Sequence, residues 1–361
     1  MKKLSLILSL VLIVSMLAGC AGTPVVYYTN CTCPVENHTE AVTPQPEPTE
    51  GPVATGSAVK TGLAIITGVG ESTSAAAEAE GVAKYDVTVV AVTVDENGVI
   101  TGCVIDSIGS EIKFNTEGVV TSDLEAAVAS KNELGENYGM KAYGGAQYEW
   151  NEQAAALAQF AVGKTVEELR SGAVDETGHA VDVDLASTAT IYLGGYVNAI
   201  EAAVANAQSL GAQAGDELKY AVTANISGSA DATAEKNGTA QLEVNVAAIT
   251  MNGDVITSCV LDAVQAKVSF DVVGQITTDL TAAVATKNQL GENYGMKAWG
   301  GAIAEWNEQA ASFASYITGN TLDEVAGIAV DEGTKPTDAD LTASVTIAIG
   351  GFQGLIAKAA Q

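Results

Sequence analysis

The chain has 361 residues, 47% of them hydrophobic and 5% aromatic, with 44 acidic against 16 basic side chains and a formal net charge of −28. A surface of that sign repels nucleic acid and anionic lipid headgroups, so neither is expected as a partner, and it favours solubility at an exterior surface. The two histidines, His38 and His179, are too few for a histidine-based metal site or a catalytic triad.

Lys2 and Lys3 make a short basic start, residues 4–16 are mostly apolar, and Leu17-Ala18-Gly19-Cys20 follows. This order reads as a lipoprotein signal peptide over 1–20, with the thiol of Cys20 becoming the lipid-bearing start of the mature chain. The expected location is the extracytoplasmic face of the cell membrane, held by that lipid. Residues 21–59 read as a tether rich in Pro, Thr and Glu. Six of the seven prolines lie here, and such a stretch cannot bury enough apolar surface to fold. Cys31 and Cys33, in "NCTCP", read as exposed thiols of that tether rather than part of a disulfide framework.

From residue 60 the chain says most things twice. Adding 156 carries Cys103 to Cys259, Asp106 to Asp262, Phe114 to Phe270, Tyr138 to Tyr294 and Trp150 to Trp306. Two tandem homologous domains are expected, 60–209 and 216–361, each long enough for its own core. In the first, residues 61–70 form a strand. Residues 83–108 form a strand pair turned at Asn97-Gly98, with alternating Val and Thr suited to a half-buried sheet, and "EIKFN" continues it. Cys103 and Cys259 fall on strands as small hydrophobes. The polar block "KNELGENYGMKAYGG" then reads as a glycine-punctuated loop. Residues 146–163 carry Trp150, Ala154, Leu157, Ala158 and Ala161 at helical spacing, Thr165 with Glu168 makes a capping box, and a polar entry leads to a final helix by 208. Strands first and helices after give an α+β fold, each domain an antiparallel sheet covered by helices.

The block, repeated as "KNQLGENYGMKAWGG", holds the residue types of a ligand site. Lys131 and Lys141 are cations, glycines allow close backbone approach, and Tyr138, Tyr143 and Trp150 offer faces for a planar ring. The second copy offers Lys287, Lys297, Tyr294, Trp299 and Trp306. The alternative is a structured loop whose aromatics anchor it to the core. The acidic stretches 175–184 and 331–340 read as solvated loops; neither carries a regular calcium-binding pattern.

A sheet built around "VTVDENGVITGCVID", then helices, then an Asp-led Ser/Thr motif before a final helix resembles the FMN-binding domain family. The resemblance implies an FMN cofactor held through a phosphoester to a Thr in an Asp-x-x-Ser-Gly-Ala-Thr motif, attached by a flavin transferase. Asp184, Ser187 and Thr190 match that motif, with Thr188 at its Gly position. In the second repeat Asp340 and Thr346 match, with Ala343, Ser344 and Val345 between them. A β-branched Thr opposes the positive φ or close approach that a Gly permits, and the alternative is a pair of capped helix entries. The block is also similar to one found in clostridial-type surface lipoproteins. The resemblance implies a flavoprotein that passes electrons between a redox partner and an external acceptor; the alternative is a flavin-free surface binding or structural module. A solute-binding component is disfavoured by the tandem repeat, and no hydrolytic constellation is legible.

Overall fold

The structure, a computed structural model, describes residues 56–361. The signal peptide, Cys20, nearly all of the tether, Cys31, Cys33 and His38 lie outside the described residues. Strands β1 (Lys60–Gly68), β2 (Gly81–Val94) and β3 (Ile100–Phe114) form an antiparallel sheet in that order. Helices α1 (Lys131–Leu134), α2 (Met140–Gly144), α3 (Trp150–Ala161), α4 (Val166–Ala173), α5 (Val183–Thr188) and α6 (Gly194–Ala205) follow, with a 3₁₀ turn, Gly135–Tyr138, between the first two. The second half repeats the order. Strands β4 (Glu217–Asn225), β5 (Gly238–Asn252) and β6 (Val255–Phe270) form another three-stranded antiparallel sheet. Helices α7 (Lys287–Leu290), α8 (Met296–Gly300), α9 (Trp306–Ile317), α10 (Leu322–Ala326), α11 (Ala339–Thr342) and α12 (Gly350–Ala359) come after it, again with a 3₁₀ turn, Gly291–Tyr294.

The numerical offset between the halves is not constant. Gly81 pairs with Phe114 and Gly238 with Phe270, separations of 33 and 32 residues. The offset is therefore 157 through β2 and β5 and 156 beyond them, because the β5–β6 hairpin is one residue shorter. Both glycines have the same cause. A Cβ on Gly81 would meet the Phe114 ring at 2.2 Å, and one on Gly238 would meet the Phe270 ring at 2.3 Å. Each ring lies flat across its own strand partner.

The sheets are not half-buried. Along β2, Ala83, Tyr85, Val87, Val89 and Ala91 face a central core, while Val90, Val92 and Val94 face the helices. β5 does the same, with Ala240, Leu242, Val244 and Val246 on one side and Ala247, Ile249 and Met251 on the other. The period of two is real, but the second sheet covers the face expected to meet water. The layers run helices, sheet, sheet, helices, and the described residues form one compact unit. Phe114 and Phe270 stack at its centre.

Polar threads also cross between the sheets. Tyr85 donates its hydroxyl proton to the Ala240 carbonyl at 2.8 Å, and Thr61 Oγ1 lies 2.7 Å from Ser258 Oγ, both buried. Two pairs of loops make matching backbone bonds across the halves: Ala75 N–H donates to the Gly274 carbonyl and Ala232 N–H to that of Gly118. The helical layers hold the residues expected of them. Trp150, Ala154, Leu157, Ala158 and Ala161 of α3 are buried, and Thr165 with Glu168 caps α4 reciprocally. The polar block is not a loop: it coils into α1, the 3₁₀ turn and α2, with Gly139 at φ +82° making the reversal between the last two.

Candidate functional site

The Asp-led motif forms a capped helix entry in both halves. Asp182, two residues before Asp184, is the N-cap of α5 and accepts from the N–H groups of Asp184 and Leu185. Asp184 and Ser187 are exposed, and Ser187 donates to the Asp184 carbonyl. Thr190 is held from below. Its N–H, its hydroxyl and the N–H of Ile191 all reach Oε1 of Gln153, at 2.8, 3.3 and 3.1 Å. Gln153 is fully buried in α3 and donates to the Tyr148 carbonyl. Thr346 and Ile347 repeat this on Gln309, and Asp338 caps α11 ahead of Asp340. Each motif thus ends in a backbone clasp closed by a buried amide.

The block divides into two parts. Glu149, buried, accepts from the N–H groups of Met140 and Lys141 at 2.8 and 3.1 Å, fixing α2. Beyond it Tyr143 is 91% exposed and its counterpart Trp299 is 90% exposed. Lys141 and Lys297 are also exposed, paired with Glu152 and Glu308 at 3.7 and 3.9 Å. This outer part borders no cleft described below.

The inner part does. The Lys131 ammonium stands 5.2 Å from the Tyr138 ring centre and 5.1 Å from that of Trp150. Lys287 stands likewise at 5.3 Å from Tyr294 and 4.9 Å from Trp306. Here the halves diverge. Lys287 is only 6% exposed and pairs with Glu243 at 3.5 Å. Gln265 projects beside it, its Oε1 accepting from the Tyr294 hydroxyl at 3.4 Å, and the cleft is about 280 Å³. In the first half Asp86 takes the place of Glu243, and no carboxylate among the described residues lies within ion-pair distance of Lys131. Gly109 takes the place of Gln265, and a Cβ there would meet nothing within 4 Å. The resulting cleft is about 460 Å³, floored by Gly109 and bordered by Lys84, Asp86, Lys131 and Tyr138. Lys84 is tied to Glu71, so the free positive charge belongs to Lys131.

Beneath the block lies a buried carboxylate. Asp106 accepts from the N–H groups of Ser107 and Asn132 and, at 3.0 Å, from the hydroxyl of Tyr220 in the other half. Asp262 accepts from Ala263 and Asn288 N–H groups. Burial raises the pKa of both against these hydrogen bonds, and Asp262 reaches about 6. They position the start of α1 and α7. Sequence reasoning paired these two aspartates across the repeats but gave them no role, although a lone Asp inside the apolar runs "CVIDSI" and "CVLDAV" is a visible signal. It missed Asp86, Glu243, Gly109 and Gln265 entirely, since the distinction between the halves appears only once β2 and β3 are in register.

Comparison of the chain with family models, curated proteins and solved structures returns no match. No group of three metal-binding side chains occurs among the described residues, and no described helix is long and apolar enough to cross a membrane.

Proposed function

We propose that this chain is a lipid-anchored, extracytoplasmic binding module of two tandem copies, in which the first copy keeps an open ligand cleft and the second has closed its own. The observation that carries this reading is the paired replacement of Glu243 by Asp86 and of Gln265 by Gly109. One change frees an ammonium and the other removes the side chain that would fill the space before it. The ligand class follows from the lining. An anionic group meets Lys131, and a planar or apolar part lies along Tyr138, which is 39% exposed. FMN joins a planar ring to a phosphate and falls within this class, which keeps the flavin-carrying, electron-transferring reading as a special case with a redox partner and a flavin transferase.

The test is a titration of the chain from residue 21 with FMN and, separately, with benzoate, followed by calorimetry. Binding of either is expected, at least tenfold weaker in Lys131→Met and in Gly109→Gln, the latter folding normally because the added side chain has room. Binding untouched by Gly109→Gln, or no binding of either probe, overturns the reading. Flavin fluorescence retained in a denatured band after co-expression with a flavin transferase, and lost in Thr190→Val or Thr346→Val, would instead support a covalent carrier.

A further inference from the structure

The helix that carries Lys131 is held from the other half of the molecule. α1 is a single turn of four residues, too short to keep its own orientation, so outside contacts decide where its first residue points. Three contacts to α1 and the residues just before it come from the second repeat. Asn132 donates its side-chain amide to the Tyr220 hydroxyl at 2.6 Å, and that hydroxyl donates in turn to Asp106 at 3.0 Å. Glu133 pairs with Lys358 of α12, which also donates to the Val222 carbonyl of β4 at 2.6 Å. Val128, just ahead of α1, bridges to Ala224 of the same strand. The second oxygen of Glu133 accepts from the N–H of Ser130 at 2.8 Å. The carboxylate that Lys358 grips therefore also closes the cap next to Lys131.

The matching turn of the second half, α7, is not held this way. Among the described residues no hydrogen bond or ion pair reaches it from the first repeat. Leu63 stands at the position of Tyr220 and Ala202 at that of Lys358, and neither side chain has a donor to offer. Gln289 replaces Glu133 and caps α7 by accepting from the Thr286 N–H at 3.0 Å. Lys287 is instead fixed by its own ion pair with Glu243. Lys131 has no such partner. An ammonium on a flexible stem then takes its direction from the turn that carries it and from the Tyr138 and Trp150 rings beside it. We propose that Tyr220 and Lys358 are positioning residues for the Lys131 cleft: the closed repeat holds the open repeat's α1 so that Lys131 meets its anionic ligand already in place. Their effect on binding rests on that cleft being the ligand site; their hold on α1 does not.

The experiment compares the chain from residue 21 with its Tyr220→Phe and Glu133→Gln variants. Glu133→Gln keeps the cap, as Gln289 does in α7, but its one carbonyl oxygen is then used on Ser130 and nothing remains for Lys358 to pair with. It also removes a negative charge two residues from Lys131, which by charge alone would strengthen anion binding. Two quantities are read. One is the affinity, by calorimetry, for FMN or benzoate, whichever the parent binds more tightly. The other is the NMR shift of the Lys131 side-chain methylenes, which the Tyr138 and Trp150 rings displace from the values of a solvated lysine. Both variants are expected to weaken binding at least fivefold and to return the Lys131 methylenes toward solvated values, with Lys287 unmoved as the internal reference. Binding as tight as the parent's, or tighter, in Glu133→Gln overturns the positioning role. So do unmoved Lys131 resonances in both variants, even where the melting temperature falls, because the contacts would then serve stability alone. A parent that binds neither probe sinks the reading of the cleft by itself, and the Lys131 resonances still decide whether the second repeat holds α1.

Discussion

The rings of Phe114 and Phe270 lie 4.1 Å apart between centroids and 2° from parallel. They hold matching positions at the ends of β3 and β6 and are fully buried against each other. Truncating either to Ala should cost about 3–5 kcal/mol. Because the cavity is shared, the double variant should cost less than the sum of the two. Urea unfolding followed by tryptophan fluorescence checks both statements. It should also show one transition for the two repeats together, since neither sheet has a covered inner face alone.

The contribution of Asp262 to stability should fall as pH rises through weak acidity. Asp262 is held at about 6, mainly by burial, against 3.8 for a freely solvated aspartate. A raised carboxyl means that the folded form keeps its proton while the unfolded form has lost it. Below pH 3.8 both are protonated and the group is neutral in its effect; between 3.8 and 6 stability is lost, and above 6 the loss is complete. Its size is about 3 kcal/mol by linkage. Asp262→Asn keeps an acceptor for the Ala263 and Asn288 N–H groups and should remove this slope, leaving a protein more stable than the parent at pH 7. Thermal melts of the two across pH 3.5–7 decide it.

Gln153→Ala should loosen the segment before α6. Three donors from Thr190 and Ile191 converge on one amide oxygen. Losing it should cost about 2 kcal/mol and speed hydrogen exchange at residues 190 and 191 while leaving β2 protected. Gln309→Ala should do the same at 346 and 347.

Opening the second cleft should be as simple as closing the first. Gln265→Gly combined with Glu243→Asp is expected to give the second repeat a site for the same anionic probe, doubling the stoichiometry measured by calorimetry. Gln265→Gly alone should give weaker binding, because Lys287 would still be neutralised by Glu243.

The elements were largely legible in the residues, and the site was not. Asn97-Gly98, the Val-rich runs and the Thr165/Glu168 box each announce themselves within a few positions, because turns, alternation and caps are local rules. The block's helical turns were missed because its glycines punctuate short helices rather than a loop, Gly139 and Gly145 sitting at positive φ at their ends. The second buried face of each sheet was missed for a different reason: its cover comes from about 157 residues away. Lys131 and Tyr138 were legible as candidates by type. What distinguishes them from Lys287 and Tyr294 lies on another strand, and no spacing along the chain points to Gly109.

A face that mates with its own likeness ordinarily makes a homodimer, and a homodimer comes apart on dilution. Here the 208–216 joint makes the encounter intramolecular, so the pairing survives at any protein concentration. The same covalent link breaks the obligation to symmetry. A substitution in a true dimer is written into both partners at once, whereas this chain can alter one side of Phe114 and leave the other untouched. One half can then specialise in recognition while the other remains as its permanent lining.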